Sequence, residues 1–270
     1  MQMAMSMADK TEKPMCVPRW RLVLGSLTIG VWLAACQTPA AMREPSATGV
    51  SDPVAFAHWE RRPMPGKTWQ PFVPIELEGR LGLEVQADQS LSLMRHRVTP
   101  PVLQPVTIKF SWWVHQLLPN ADLTDADASD APAQVMVAFD GDRSKLSARH
   151  QMLSELTLLV TGEELPYASL VYVWTNAHPP ETVLVDPRID RIRYFVVEQG
   201  AQNLGRWRDY ERDVWADFAK AFNEPPGPLA GLAIMTDTDN TRSQTRTVFG
   251  PVTLHEHRQP AQAVEAYKKP

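Results

Sequence analysis

The stretch "VTIKFSWWVHQ", residues 106–116, decides the fold. Val106, Ile108, Phe110, Trp112 and Val114 fall on one side of an extended chain, and Thr107, Lys109, Ser111, Trp113 and His115 fall on the other. That period of two is the signature of a strand with one face in a core. Outward from it the same signal recurs in "QVMVAFD" (134–140), "SLVYVWTN" (169–176), "ETVLVD" (181–186), "IRYFVVEQ" (192–199), "LAGLAIMTD" (229–237) and "TRTVFGPVTL" (245–254). Leu81 to Val85 and Leu91 to Val98 read as a strand pair around the turn "QADQS". Two segments break the period. Ser144 to Val160 sets Leu146, Leu153, Leu156 and Val160 at helical spacing. Leu204 to Phe222 does the same with Trp207, Tyr210, Val214, Phe218 and Phe222, and "NEPPGP" then stops it. Many short strands, one or two helices and 24 prolines spread along the chain predict a mainly β fold. The expected architecture is a two-sheet antiparallel β-sandwich of jelly-roll type with one or two packed α-helices.

The first residues carry a different message. Arg19 and Arg21 precede an uncharged apolar stretch from Leu22 to Ala35 that ends at Cys36. The stretch is too short to cross a bilayer, which takes roughly 20 residues, but it suits the core of an export signal. Leu33-Ala34-Ala35-Cys36 resembles the lipobox of bacterial lipoproteins, which implies cleavage before Cys36 and acylation of its sulfur. Gln37, in place of an inner-membrane-retaining aspartate, implies the outer membrane. The expected divisions are a signal peptide over 1–35, a lipidated tether over 36–52, the β-sandwich over 53–258 and a tail over 259–270. Met15 is an alternative start. The other cysteine, Cys16, leaves with the signal, so the exported domain offers no disulfide and no thiol site. The chain carries a formal charge of −4, a mildly acidic balance of 27 Lys and Arg against 31 Asp and Glu. Nucleic acid, which demands clustered basic charge, is excluded as a partner.

Several blocks, in order, support a family resemblance. They are "FSWWVHQ", "SDAPAQVMVAFD", "LPYASLVYVWTN", "DYERDVWADFAKAFNEPP" and "AIMTDTDNT", and together they resemble the DUF3047 family of secreted bacterial proteins of unknown function. The likeness runs from about Phe56 to Leu254. It implies a sandwich related to carbohydrate-binding folds and brings no established activity or catalytic residue. Gln134 stands where the family usually has arginine, Asn223 where it has glycine, and Arg242 where glycine commonly follows "DTDNT". Pro251 replaces an aspartate.

The candidate sites are of two kinds. Trp113, with Lys109 and His115 beside it, and Tyr172 with Trp174 on a second strand, set flat rings next to hydrogen-bonding groups. Such a pairing suits a sugar, whose C–H face stacks on a ring while its hydroxyls find polar partners. The alternative is that these rings are core, as large aromatics usually are. The run Asp237, Thr238, Asp239, Asn240, Thr241 ends an apolar strand in carboxylates and hydroxyls. It reads as a polar turn brace, as an oxygen-only calcium site, or as an acid pair of the kind glycosidases use. It is not an EF-hand loop, lacking the glycine and distal glutamate. Asp130, in "DLTDADASDAP", is a candidate structural residue. The histidines lack the convergence a zinc site needs, and no G-x-S-x-G elbow is present. The first expectation is therefore a lipid-anchored envelope module that binds a ligand such as a glycan, with calcium as the one cofactor in view. The alternatives are a hydrolase or lyase of envelope polysaccharide, or a structural partner of another envelope protein.

Overall fold

The structure, a computed structural model, describes residues 56–256. The expected signal peptide, Cys36, the expected tether and the expected C-terminal tail lie outside the described residues. The chain forms β1 (Glu60–Arg61), β2 (Phe72–Leu77), β3 (Arg80–Asp88), β4 (Leu91–Val102), β5 (Val106–Val114) and β6 (Ala131–Phe139). It continues through α1 (Ala148–Thr161), β7 (Ala168–Thr175), β8 (Val183–Val185), β9 (Ile192–Gln199), β10 (Trp207–Asp213) and α2 (Val214–Phe222). It finishes with β11 (Leu229–Asp237), β12 (Gln244–Phe249) and β13 (Thr253–Glu256).

These strands make two sheets. The seven-stranded sheet runs β1-β4-β11-β6-β7-β9-β8, and the six-stranded sheet runs β10-β5-β12-β3-β2 with β13 also on β5. All pairings are antiparallel except β7 with β9. The fold is a jelly-roll-type β-sandwich with two helices. Its core is the space between the sheets: Ile108, Phe110 and Trp112 from β5 meet Val135 and Val137 of β6, Tyr172 and Trp174 of β7, and Ile234 of β11, all buried. A smaller apolar cluster lies on the other face of the seven-stranded sheet, where Leu123 of the preceding loop covers Val171, Val173 and Val196. Covered on both faces, β7 is buried at every position, which explains its unbroken apolar run.

Three sequence readings require correction. β3 and β4 are not partners: β3 pairs with β2 and β12, whereas β4 pairs with β1 and β11, so the "QADQS" turn passes between the two sheets. The expected helix from Leu204 begins only at Val214; Trp207–Asp213 is an edge strand that pairs with β5 along its whole length. In β10, Arg208, Tyr210 and Arg212 are half-buried while Asp209, Glu211 and Asp213 are exposed, a period of two hidden beneath coincidental helical spacing. The Asp213 side chain accepts from Ala216 N–H at 3.0 Å and caps the true helix. Finally, α1 does not bury its expected stripe. Leu156 and Val160 are exposed, and the buried residues are His150 and Ser154. Ser154 Oγ accepts from Arg143 at 2.6 Å and from Leu165 N–H at 3.2 Å, so polar contacts seat this helix.

Helix α2 is fastened by a buried ionic group. Asp217 accepts from the Tyr172 hydroxyl at 3.0 Å and from Arg212 through Nε at 2.8 Å and a terminal nitrogen at 2.6 Å. Arg212 also pairs with Glu181 at 2.6 Å. Phe218 fills the space beneath, 4.5 Å from the Phe139 ring.

Candidate functional site

Two places gather the residues that could carry chemistry, and both lie at the end of the sandwich where β3 turns into β4 and β11 turns into β12.

The first is the acidic end of β11. Leu232, Ile234 and Thr236 face the core, and Thr236 donates to the Pro132 carbonyl at 3.0 Å. Asp237 therefore points to the opposite face, where it is 7% exposed. Thr238 then turns the chain: its N–H donates to Ser90 O at 2.9 Å and its hydroxyl accepts from Ser90 N–H at 3.0 Å. Asp130, 2% exposed, reaches across from the start of β6. It accepts from Asn240 N–H at 3.2 Å, Thr241 N–H at 2.8 Å and the Thr241 hydroxyl at 2.6 Å. One oxygen from each of Asp130, Asp237 and Asp239 lies within 4.8 Å of the others. Lys67 Nζ sits 2.6 Å from Asp239 Oδ2, the nearest positive charge. Burial and the neighbouring Asp130 and Asp239 carboxylates push the Asp237 carboxyl up to about 8. Tyr194, whose hydroxyl donates to Asp186 at 2.6 Å, borders the same face and feels the Asp237 charge. The arrangement braces the turn through Asp130, Asn240 and Thr241 and presents an oxygen-rich cradle at Asp237.

The second place is a cleft of about 540 Å³ at the end of the six-stranded sheet. Its lining includes Gln70, Gln86, Asp88, His115, Gln116, Gln244 and Arg246. Cross-strand register assembles it: Gln244 sits opposite Asp88 and Arg246 opposite Gln86, while His115 N–H donates to Arg246 O at 2.9 Å. Arg246 donates through Nε to Glu84, and Gln86 Nε2 donates to the other Glu84 oxygen at 2.8 Å. Gln116 Nε2 donates to Gln244 O at 2.6 Å. The exposed His115 ring stacks on Trp113 with centroids 6.0 Å apart and planes at 18°, and the Arg246 guanidinium lies 5.2 Å from the Trp113 ring.

The aromatic candidates separate accordingly. Trp113, Lys109 and His115 share the outer face of β5, but Trp113 is 8% exposed under its neighbours, and Lys109 pairs with Glu211 at 3.1 Å, well along the strand. Tyr172 and Trp174 are core, both fully buried; Trp174 packs near Trp112 and donates to Gly200 O at 3.0 Å. No groove joins Trp113 to Trp174, because one lies on the outer face of the six-stranded sheet and the other lies between the sheets. Sequence reasoning missed Lys67, Gln86, Gln244 and Arg246. The alternation of "QTRTV" does turn Gln244 and Arg246 to one face, but only the pairing of β12 with β3 sets them beside Gln86 and Asp88.

Solved structures match the chain at low similarity. A family 11 carbohydrate-binding module of the cellulosomal cellulase Lic26A-Cel5E of Clostridium thermocellum is 9% identical, with a TM-score of 0.36 over 75% of this chain and 91% of that one. A family 12 xyloglucanase from Bacillus licheniformis is 7% identical, with a TM-score of 0.39 over 74% of this chain and 100% of that one. At such scores neither says anything about what this chain binds. No curated protein matches the sequence. Residues 57–253, nearly the whole described sandwich, match the family described as "Protein of unknown function (DUF3047)", and the chain belongs to that family.

Proposed function

We propose that this protein is a lipid-anchored ligand-binding module of the bacterial envelope, and that its cleft at the end of the six-stranded sheet holds a neutral glycan. The observation that carries the reading is the lining itself: Gln70, Gln86, Gln116 and Gln244 around an exposed His115 ring. Amide side chains both donate and accept, so they match the paired donor and acceptor character of a sugar hydroxyl. The Arg246 charge is already balanced by Glu84, and Asp88 adds a negative charge at the rim, which disfavours an acidic polysaccharide. Support for the anchor is the basic flank, apolar core and Leu33-Ala34-Ala35-Cys36 motif. The outer membrane as destination rests on Gln37, and an envelope protein as a second partner would meet the chain there.

The test is an array of neutral and acidic glycans probed with the purified domain, repeated with Gln86→Ala and Gln244→Ala. Each substitution removes one or two hydrogen bonds and is expected to weaken binding of a neutral glycan by about 5- to 20-fold. Binding by both variants as tight as by the parent, or capture of acidic glycans alone, would refute the proposal. For the anchor, mass spectrometry of the native N-terminus is expected to show acylated Cys36, and an unmodified thiol would refute it.

A further inference from the structure

We propose that Asp130, Asp237 and Asp239 bind a divalent cation of the calcium class, which clamps the loop before β6 to the turn between β11 and β12. Three carboxylate oxygens within 4.8 Å of one another are a donor set for a hard cation. The second observation is the state of Asp237. Its side chain is almost wholly buried, yet its only hydrogen bond is a 3.5 Å contact from Asp239 N–H to Oδ1. The buried cluster oxygen that lacks a hydrogen bond among the described residues is Asp239 Oδ2, which meets the Lys67 ammonium at 2.6 Å. A buried carboxylate is ordinarily satisfied by donors, as Asp217 and Asp186 are in this same molecule. On the same face of the sheet, Gln134, 1% exposed, has an Oε1 atom without a hydrogen-bond partner among the described residues. A carboxylate so deeply buried and so weakly satisfied, beside two others, suits a hard cation.

The charges around the cluster fit. Among the described residues, Lys67 alone supplies positive charge at contact distance, through Asp239. A divalent ion would balance the remainder, and soft-metal ligands are absent, because no cysteine or histidine belongs to the cluster. Asp130 is already held by Asn240 and Thr241, so one ligand arm is ordered in advance. The Thr241 hydroxyl also contacts Ser243 Oγ at 2.8 Å, next to Gln244 of the cleft, so cation binding would steady one wall of that cleft. The cation site stands apart from the glycan proposal, since its residues and its test are its own.

The experiment is calorimetric titration of calcium chloride into chelator-treated protein, with thermal unfolding followed in parallel. One ion per chain is expected, with Kd on the order of 0.1 mM as for extracellular calcium modules. At calcium a hundredfold above Kd, the melting temperature is expected to rise by about 5 °C or more. Asp237→Asn, which keeps the size and shape of the carboxyl, is expected to fold, to melt close to the chelated parent, and to lose both responses. Asp239→Asn, at the more accessible turn, is a second variant expected to weaken binding at least 10-fold. Absence of calcium binding to the parent protein would overturn the proposal, as would unchanged binding in both variants.

Discussion

Substituting Glu163 by glutamine is expected to destabilise the protein in a way that depends on pH. Glu163 follows the end of α1, and its carboxylate ion-pairs with Arg62, Arg95 and Arg97. It thereby ties the helix end to β4 and to the segment after β1, on the rim of an apolar hollow of about 360 Å³. Hydrogen bonding from Arg95, outweighing the opposing effect of partial burial, together with Arg62 holds the Glu163 carboxyl down to about 2, from an ordinary 4.5. At about 1.4 kcal/mol per unit, such a shift sets a ceiling of roughly 3.4 kcal/mol. The carboxylate is 32% exposed, so solvent screening reduces the expected worth to about 1–2 kcal/mol. The sign follows from the depressed value. The unfolded chain takes up the proton first, so the stabilisation is complete above pH 4.5 and is lost as pH falls towards 2. Urea unfolding of parent and Glu163→Gln at a series of pH values measures this directly. The expected gap is about 1–2 kcal/mol at pH 7, falling to less than half of that near pH 3, because a protonated glutamate resembles glutamine. A gap that stays constant with pH, or one below about 0.3 kcal/mol at pH 7, would refute the electrostatic account of this junction.

Asp217→Asn should be more damaging, since it turns a buried acceptor of three bonds into a group with a donor facing Arg212. A loss of about 2–4 kcal/mol in denaturant unfolding is expected, the lower part of the range reflecting the remaining Arg212–Glu181 pair; a loss below 1 kcal/mol would contradict the fastening role given to Asp217. Gly227→Ala should cost about 1–3 kcal/mol, because the new Cβ would fall 2.0 Å from the Asp140 backbone carbonyl where β11 begins beside the end of β6. Thermal unfolding indistinguishable from the parent would contradict that close approach.

What the sequence reveals of this fold follows the strength of each local pattern. β5 was legible because its apolar and polar residues alternate without a fault, and the "LAGLAIMTD" strand because its core side is equally regular. β10 was not, because Trp207, Tyr210 and Val214 are spaced as a helix would space them. Its partner β5 supplies a ladder along the whole strand, and that long-range pairing outweighs local spacing. The crossing of "QADQS" between sheets was hidden for a related reason: a short polar turn looks the same whether it closes a hairpin or a corner. At the candidate sites, the crowding of Asp237 and Asp239 was visible, since both lie in one short run. That Asp130 joins them, and that Lys67 approaches from far upstream, depends on contacts more than 100 residues apart. Tyr172 and Trp174 show the limit of face assignment. Alternation puts them on one side of β7, but it cannot tell which side is covered when both are.

The most direct test of the account is a titration of isotope-labelled domain with the neutral glycan bound best on the array, followed through the side-chain amide signals of its glutamines. The account predicts that Gln86, Gln116 and Gln244 shift first and furthest, with the His115 ring signals moving at the same ligand concentration. Shifts centred anywhere else on the sandwich, with these four residues unmoved, would contradict it.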